Sequence, residues 1–129
     1  MKRLQNKVAI VTGGSRGIGK AISKLYATEG AKVLIVYRQD DASAQGTMDE
    51  IKSSGGEVSV FKGDVSVKTD MEAMAEKAIT LYGRIDILCC NAGIFPITPL
   101  TDITEEEWDE VQSVNLKGTF LALKACLST

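Results

Sequence analysis

The stretch "TGGSRGIGKA", Thr12 to Ala21, follows the apolar run "VAIV" (8–11) and precedes a segment of helical period. Two phosphate-binding patterns overlap in it. From Gly14, four residues precede Gly19 and Lys20, which nearly spells a nucleoside-triphosphate loop, whereas from Gly13 the spacing is Gly-x-x-x-Gly-x-Gly, which suits a dinucleotide. The triphosphate pattern needs Ser or Thr after the lysine, because that hydroxyl binds magnesium, and this chain has Ala21. Asp64, at the end of an apolar strand, would pass as a second metal ligand, but nothing replaces the hydroxyl. The dinucleotide pattern has no such gap. Gly13 permits a tight turn out of the strand, while Gly17 and Gly19 let backbone and helix start approach a pyrophosphate, whose charge a helix N-terminus favours.

Working outward, short apolar runs alternate with helical patterns. "VAIV" (8–11), "VLIV" (33–36), "VSVF" (58–61) and "IDILCC" (85–90) read as strands. The first two are solid β-branched runs of the kind buried on both faces of a parallel sheet, and the third alternates, which suits an edge. Ile18, Ala21, Ile22, Leu25 and Tyr26 form one helical stripe; Met71, Met74, Ala75, Ala78, Ile79 and Tyr82 form another. A weaker helix is expected over 41–53, and a last one from Thr104, with Glu107 completing a capping box, nearly to Thr129. Gly30 and Gly83 stand where left-handed caps are expected.

The order β-α-β-α-β-α-β-α with right-handed crossovers gives a Rossmann-type doubly wound α/β fold, a single domain over 1–129. Ligands in such sheets bind at the carboxyl ends of the strands. Thr12-Gly13-Gly14, Tyr37-Arg38, Gly63-Asp64-Val65 and Asn91-Ala92-Gly93 are those four ends, and they should share one rim.

Bulk properties narrow the classes. The chain has 129 residues, 44% hydrophobic and 25% charged, with a net charge of −2, which offers no basic face to nucleic acid or acidic lipid. No apolar run approaches the roughly 18 residues of a membrane span, so a cytoplasmic location is the default expectation. Three cysteines, two of them the adjacent Cys89 and Cys90, give neither a disulfide framework nor metal-ligand spacing. With no histidine, Ser-His-Asp, Cys-His and His-Glu-x-x-His chemistries are excluded.

"TGGSRGIG" (12–19), "GDV" (63–65), "CNAG" (90–93) and "VNLKGTF" (114–120), in that order and spacing, resemble the short-chain dehydrogenase/reductase family from about Lys7 onward, close to its 3-oxoacyl-carrier-protein reductase and glucose dehydrogenase branch. The resemblance implies that Gly13, Gly17 and Gly19 hold the cofactor's pyrophosphate, with Ser15, Arg16 and Ile18 lining the turn. It implies that Asp64 accepts from the adenine amino group while Val65 covers the ring, and that Asn91, Ala92 and Gly93 brace the fourth strand beside the ribose. It makes Asn115 the family's catalytic asparagine, which helps order a water in the proton relay. Independently of the resemblance, Asn115 stands seven residues after Trp108 and four after Val111, a polar amide in an apolar helical stripe. A buried Asn satisfying a local carbonyl would look the same, as Asp64 taken alone would look like a turn residue.

An NAD site places an acid about 20 residues beyond the glycines, on the ribose 2′-hydroxyl. Here the second strand ends in Tyr37-Arg38, and the Arg38 fork, with Arg16 facing it, suits the 2′-phosphate of NADP. Asp40 and Asp41 follow closely and could reach a ribose instead, so NAD stays possible.

The family's remaining chemistry calls for a tyrosine followed four residues later by lysine, and for a serine. Tyr26, Tyr37 and Tyr82 are followed at that spacing by Gly30, Asp41 and Asp86. The expectation is therefore the cofactor-binding half of a reductase, inactive alone, with strand order 3-2-1-4 and the fourth strand an apolar edge. Its substrate in the full-length parent would be a small carbonyl or alcohol, and homo-oligomers are possible. A non-catalytic nucleotide-binding module is the alternative. A phospho-acceptor domain would need acids after the first strand, where Thr12-Gly13 stand.

Overall fold

The computed structural model describes residues 2–129. Four parallel strands, β1 (Val8–Thr12), β2 (Lys32–Tyr37), β3 (Glu57–Lys62) and β4 (Ile87–Cys90), form a single sheet in the order β3-β2-β1-β4. The helices between them are α1 (Gly17–Thr28), α2 (Asp41–Ser53) and α3 (Lys68–Tyr82). After β4 come a 3₁₀ turn (Leu100–Asp102), α4 (Glu105–Gln112), a π-helical turn (Ser113–Lys117) and α5 (Gly118–Leu127).

The β-branched runs explain why β1 and β2 lie inside. Every residue of β1 is buried, and alternate side chains enter two separate cores. Ile10, Leu34 and Val36 point toward α3 and α5, whereas Ala9, Val11, Val33 and Ile35 point toward α1 and α2. Ile10 sits opposite both Leu34 and Leu88 in register, so the central strand is clamped from two sides. Fully burying one such side chain stabilises the fold by about 2 kcal/mol. β3 is an edge, as its alternation implies, and β4 is the other, its residues only half-buried or exposed. β4 begins at Ile87 and not at Ile85, because the Asp86 carboxylate turns to accept the Val8 N–H at 2.9 Å.

The middle helix occupies Asp41–Ser53 as expected, capped by Asp40, whose carboxylate accepts the Ser43 N–H at 2.9 Å. Gly30 and Gly83 have φ of 96° and 81°, the left-handed conformation that ends α1 and α3.

Two expectations need correction. The apolar stripe of α1 is not its buried face: Ile18 is 74% and Leu25 54% exposed, while Gly19, Ser23 and Ala27 are buried and Ile22 and Tyr26 are half-buried. Close approach decides this. A Cβ on Gly19 would collide with the Gly13 carbonyl oxygen, so small residues must face the sheet and the larger ones rotate outward. The last helix does run from Glu105 to Leu127 with helical backbone throughout, but it contains the π-helical turn. Its capping box is half formed. Thr104 accepts the Glu107 N–H at 3.1 Å, whereas the Glu107 carboxylate accepts the Thr98 hydroxyl at 2.6 Å. The stripe carrying Asn115 is not buried: Trp108 is 60% exposed, Val111 half-buried and Asn115 exposed.

Among the described residues no helix is long and apolar enough to cross a membrane.

Candidate cofactor site

Parallel strands carry all four polar exits to one rim, and there they border a cavity of about 480 Å³. The turn after β1 contributes Gly13, Ser15, Arg16 and Gly17; the exit of β2 contributes Tyr37, Arg38, Gln39 and Asp40. Gly63, Asp64 and Val65 enter from β3, and Asn91, Ala92 and Gly93 from β4, with Ile94 and Val114 completing the wall. Three sequence-derived positions stand apart. Gly19 is buried beneath the turn, Ile18 projects into solvent, and Asn115 is exposed one residue beyond Val114.

The turn itself is held by its carbonyls. Asn91 Nδ2 donates to the Gly13 oxygen at 3.1 Å, and the buried Ser23 hydroxyl contacts the Gly14 oxygen at 3.2 Å and the Gly19 oxygen at 2.9 Å. Gly13 and Gly17 adopt φ of 66° and 57°, which a side chain would strain. Gly13 N–H bonds the Val36 oxygen at 2.8 Å, while the N–H groups of residues 15–19 find no acceptor among the described residues. Arg16, the N-cap of α1, makes no side-chain capping bond. Unpaired N–H groups at a helix start carry a partial positive charge that suits an anion.

Thr12 is named from the sequence only as part of the first strand exit, with no role of its own, although it is a polar residue closing an otherwise apolar strand. Its Oγ1 accepts the N–H groups of Asn91 and Ala92 at 3.1 Å each and lies 3.4 Å from the Cys89 carbonyl, locking the exits of β1 and β4 together.

The charged end of the cavity is paired within itself. Asp64 Oδ1 accepts the Ser66 N–H at 2.9 Å and the Ser66 hydroxyl at 2.7 Å, and Oδ2 lies 3.6 Å from Arg38 Nε. Burial alone would raise the Asp64 carboxyl; the Ser66 hydroxyl and N–H and the Arg38 guanidinium together hold it below the usual carboxylate range. Asp41 accepts the Tyr37 hydroxyl at 2.9 Å and lies 3.2 Å from Lys62 Nζ. Asp40 is committed to Ser43, with Arg16 4.0 Å away.

Asn115 clamps the loop after β4. Its Oδ1 accepts the Ile94 N–H and its Nδ2 donates to the Ile94 carbonyl, both at 2.8 Å. A Cβ on Gly93 would come within 3.2 Å of Oδ1, so glycine makes room for the clamp. Asn115 lies within the π-helical turn, an element that often marks functional positions.

A parallel sheet in this order, with a glycine turn opening into a helix start at the rim, defines a dinucleotide-binding α/β domain. More specifically, the chain belongs to the short-chain dehydrogenase family, whose model matches residues 7–129. It is 39% identical to a probable tetrahydroxynaphthalene reductase of Zymoseptoria tritici, over 95% of this chain and 46% of that protein. It is 36% identical to an uncharacterized oxidoreductase of Methylorubrum extorquens, over 97% of this chain and 50% of that protein. Among solved structures, a short chain dehydrogenase from Burkholderia cenocepacia in complex with NADP superposes with a TM-score of 0.93 at 36% identity, covering 98% of this chain and 51% of that one. The chain thus spans about half the length of the curated relatives it matches.

Proposed function

We propose that this chain is the cofactor-binding part of a short-chain oxidoreductase that prefers NADP(H) and moves hydride between nicotinamide and a small carbonyl or alcohol. The observation that carries the reading is the glycine turn, whose N–H groups 15–17 lack acceptors at the mouth of a cavity bordered by all four strand exits. Those N–H groups would take the pyrophosphate, with Gly13 and Gly17 giving the backbone access. Asp64 would accept the adenine amino group through the oxygen that Ser66 leaves free, and Val65 would cover the ring. Asn91, Ala92 and Gly93 would lie along the ribose. The nicotinamide would supply or accept the hydride.

Preference for NADP is supported by which charges are already engaged. Asp40 already accepts from Ser43, and Asp41 from Tyr37 with Lys62 beside it, and these contacts compete with a ribose 2′-hydroxyl. Arg38 meets Asp64 through Nε, which leaves its planar outer edge for a phosphate, and Arg16 borders the same cavity. The similar Burkholderia cenocepacia structure is itself an NADP complex.

Asn115 would hold the loop at Ile94 and help order a water for proton transfer. None of the three tyrosines suits the acid-base step. Tyr37 borders the cavity, yet its hydrogen bond to the Asp41 carboxylate pushes the phenol above its ordinary range; burial does the same to Tyr82. Tyr26 packs on the α1 side of the core. We therefore expect NADPH binding without carbonyl reduction by these 129 residues. Calorimetric titration with NADPH and NADH, run beside a turnover assay on simple ketones, tests both halves. Steady NADPH-dependent reduction would overturn the division of labour, and a folded sample that binds neither nucleotide would overturn the reading itself.

A further inference from the structure

Three successive carbonyls in the turn after β1 are each taken by a side chain from a different element. Asn91 after β4 holds Gly13, Ser23 on α1 shares its hydroxyl between Gly14 and Gly19, and Thr47 on α2 donates to the Ser15 oxygen at 2.6 Å. Thr47 is the unusual member. Thr28, Ser54, Thr119 and Ser128 spend their hydroxyls on the carbonyl four residues back, as helical hydroxyls ordinarily do. Thr47 instead reaches 32 residues back in sequence, from a position 1% exposed and outside the cavity wall.

In a trans peptide, the carbonyl of one residue and the N–H of the next point in opposite directions. Tying the Ser15 oxygen to Thr47 therefore aims the Arg16 N–H away from α2, and no described residue accepts it. We propose that Thr47 is a positioning residue: through the Ser15 carbonyl it pre-orients the Arg16 N–H for an anionic diphosphate. α2 thereby takes part in cofactor affinity without touching cofactor. This rests on the dinucleotide reading of the cavity, and deepens it.

The test compares Thr47→Val and Thr47→Ser with the unsubstituted chain. Valine keeps the shape and removes the donor, leaving the buried Ser15 carbonyl unpaired; serine keeps the donor. Titration with NADPH and with ADP-ribose, both diphosphates, should show affinity about tenfold weaker in T47V, the equivalent of one lost buried hydrogen bond, and near-original affinity in T47S. Adenosine 2′-phosphate, which lacks the diphosphate, should bind T47V and the original chain alike. Equal affinity of T47V for the diphosphates would overturn the proposal, and so would a uniform loss across all three ligands, which a merely structural role would give. The Arg16 amide resonance without ligand supplies an independent readout, because it reports the orientation of the Ser15–Arg16 peptide: its chemical shift should move in T47V and return in T47S, and an unmoved resonance contradicts the proposal. If the original chain binds no NADPH, the functional reading fails and the Arg16 amide shift alone judges Thr47. Should T47V not fold, T47A, which removes the hydroxyl and adds no bulk, takes its place in the same comparisons.

Discussion

The two ends of the cavity are built differently. At the glycine turn the protein consumes its own carbonyls and leaves N–H groups without acceptors, so the anion site we propose there would be made of backbone held from beneath. At the Arg38 end the site is made of charged side chains that are partly exposed and already paired with one another. On that proposal, the backbone site would be rigid and indifferent to which dinucleotide it held, and the side-chain rim would be adjustable and decide between them. Substitutions in the turn should therefore affect folding or all dinucleotides together, and substitutions in the rim should change selectivity.

The sharpest contrast lies within the turn. A side chain on Gly19 would run into the Gly13 carbonyl and come within 2.5 Å of Asn91 Nδ2, whereas a Cβ on Gly17 would meet nothing within 4 Å. Gly19→Val should lower unfolding stability by about 3 kcal/mol in urea melts. Gly17→Ala should lower it by only about 1 kcal/mol, the strain of its left-handed backbone, yet crowd the approach of any dinucleotide. Equal stability losses in the two variants would break the distinction between a packing glycine and an access glycine.

At the other end, Arg38→Gln should weaken NADPH about tenfold and leave NADH nearly unchanged, which competing titrations would read directly. Parallel losses for both nucleotides would mean that Arg38 serves the fold and not the 2′-position. Acid tests the pairing of Asp64. A carboxylate held below its ordinary pKa stabilises the fold at pH values above the unfolded value of about 3.9 and loses that contribution as pH falls through the folded value. Asp64→Asn should accordingly flatten the stability profile below about pH 4, and an unaltered profile would place the acid sensitivity elsewhere.

The smallest effect is expected at Asp41, whose contacts with Tyr37 and Lys62 lie at the solvent-exposed surface and are screened there. Asp41→Ala should leave NADH affinity as it was. A marked loss would show that Asp41 reaches the ribose after all.

This contrast also explains what could be read from the sequence. Gly13, Gly17 and Gly19 announce the turn because close approach and left-handed backbone can be served by few other residues, and the solid runs at 8–11 and 33–36 announce strands buried on both faces. The pairing of Asp41 with Tyr37 and Lys62 had no such signature, since it depends on where β3 ends beside α2. The outward rotation of Ile18 and Leu25 was hidden for a related reason: hydrophobicity marks a stripe, but the space left by Gly19, Ser23 and Ala27 decides which face meets the sheet. Those small residues, four apart, were the available signal. The amide of Asn115 was legible as an anomaly in its stripe, though its partner Ile94 was not, because that contact joins an irregular loop to a π-helical turn.

The central claim is that unpaired N–H groups of the turn hold a dinucleotide's pyrophosphate. Amide chemical shifts recorded while NADPH is added measure this directly. Ser15, Arg16 and Gly17 should be among the most perturbed amides, by NADPH and NADH alike and far less by adenosine 2′-phosphate. Silence at these three amides under saturating NADPH, or a response confined to magnesium-bound ATP, would contradict it.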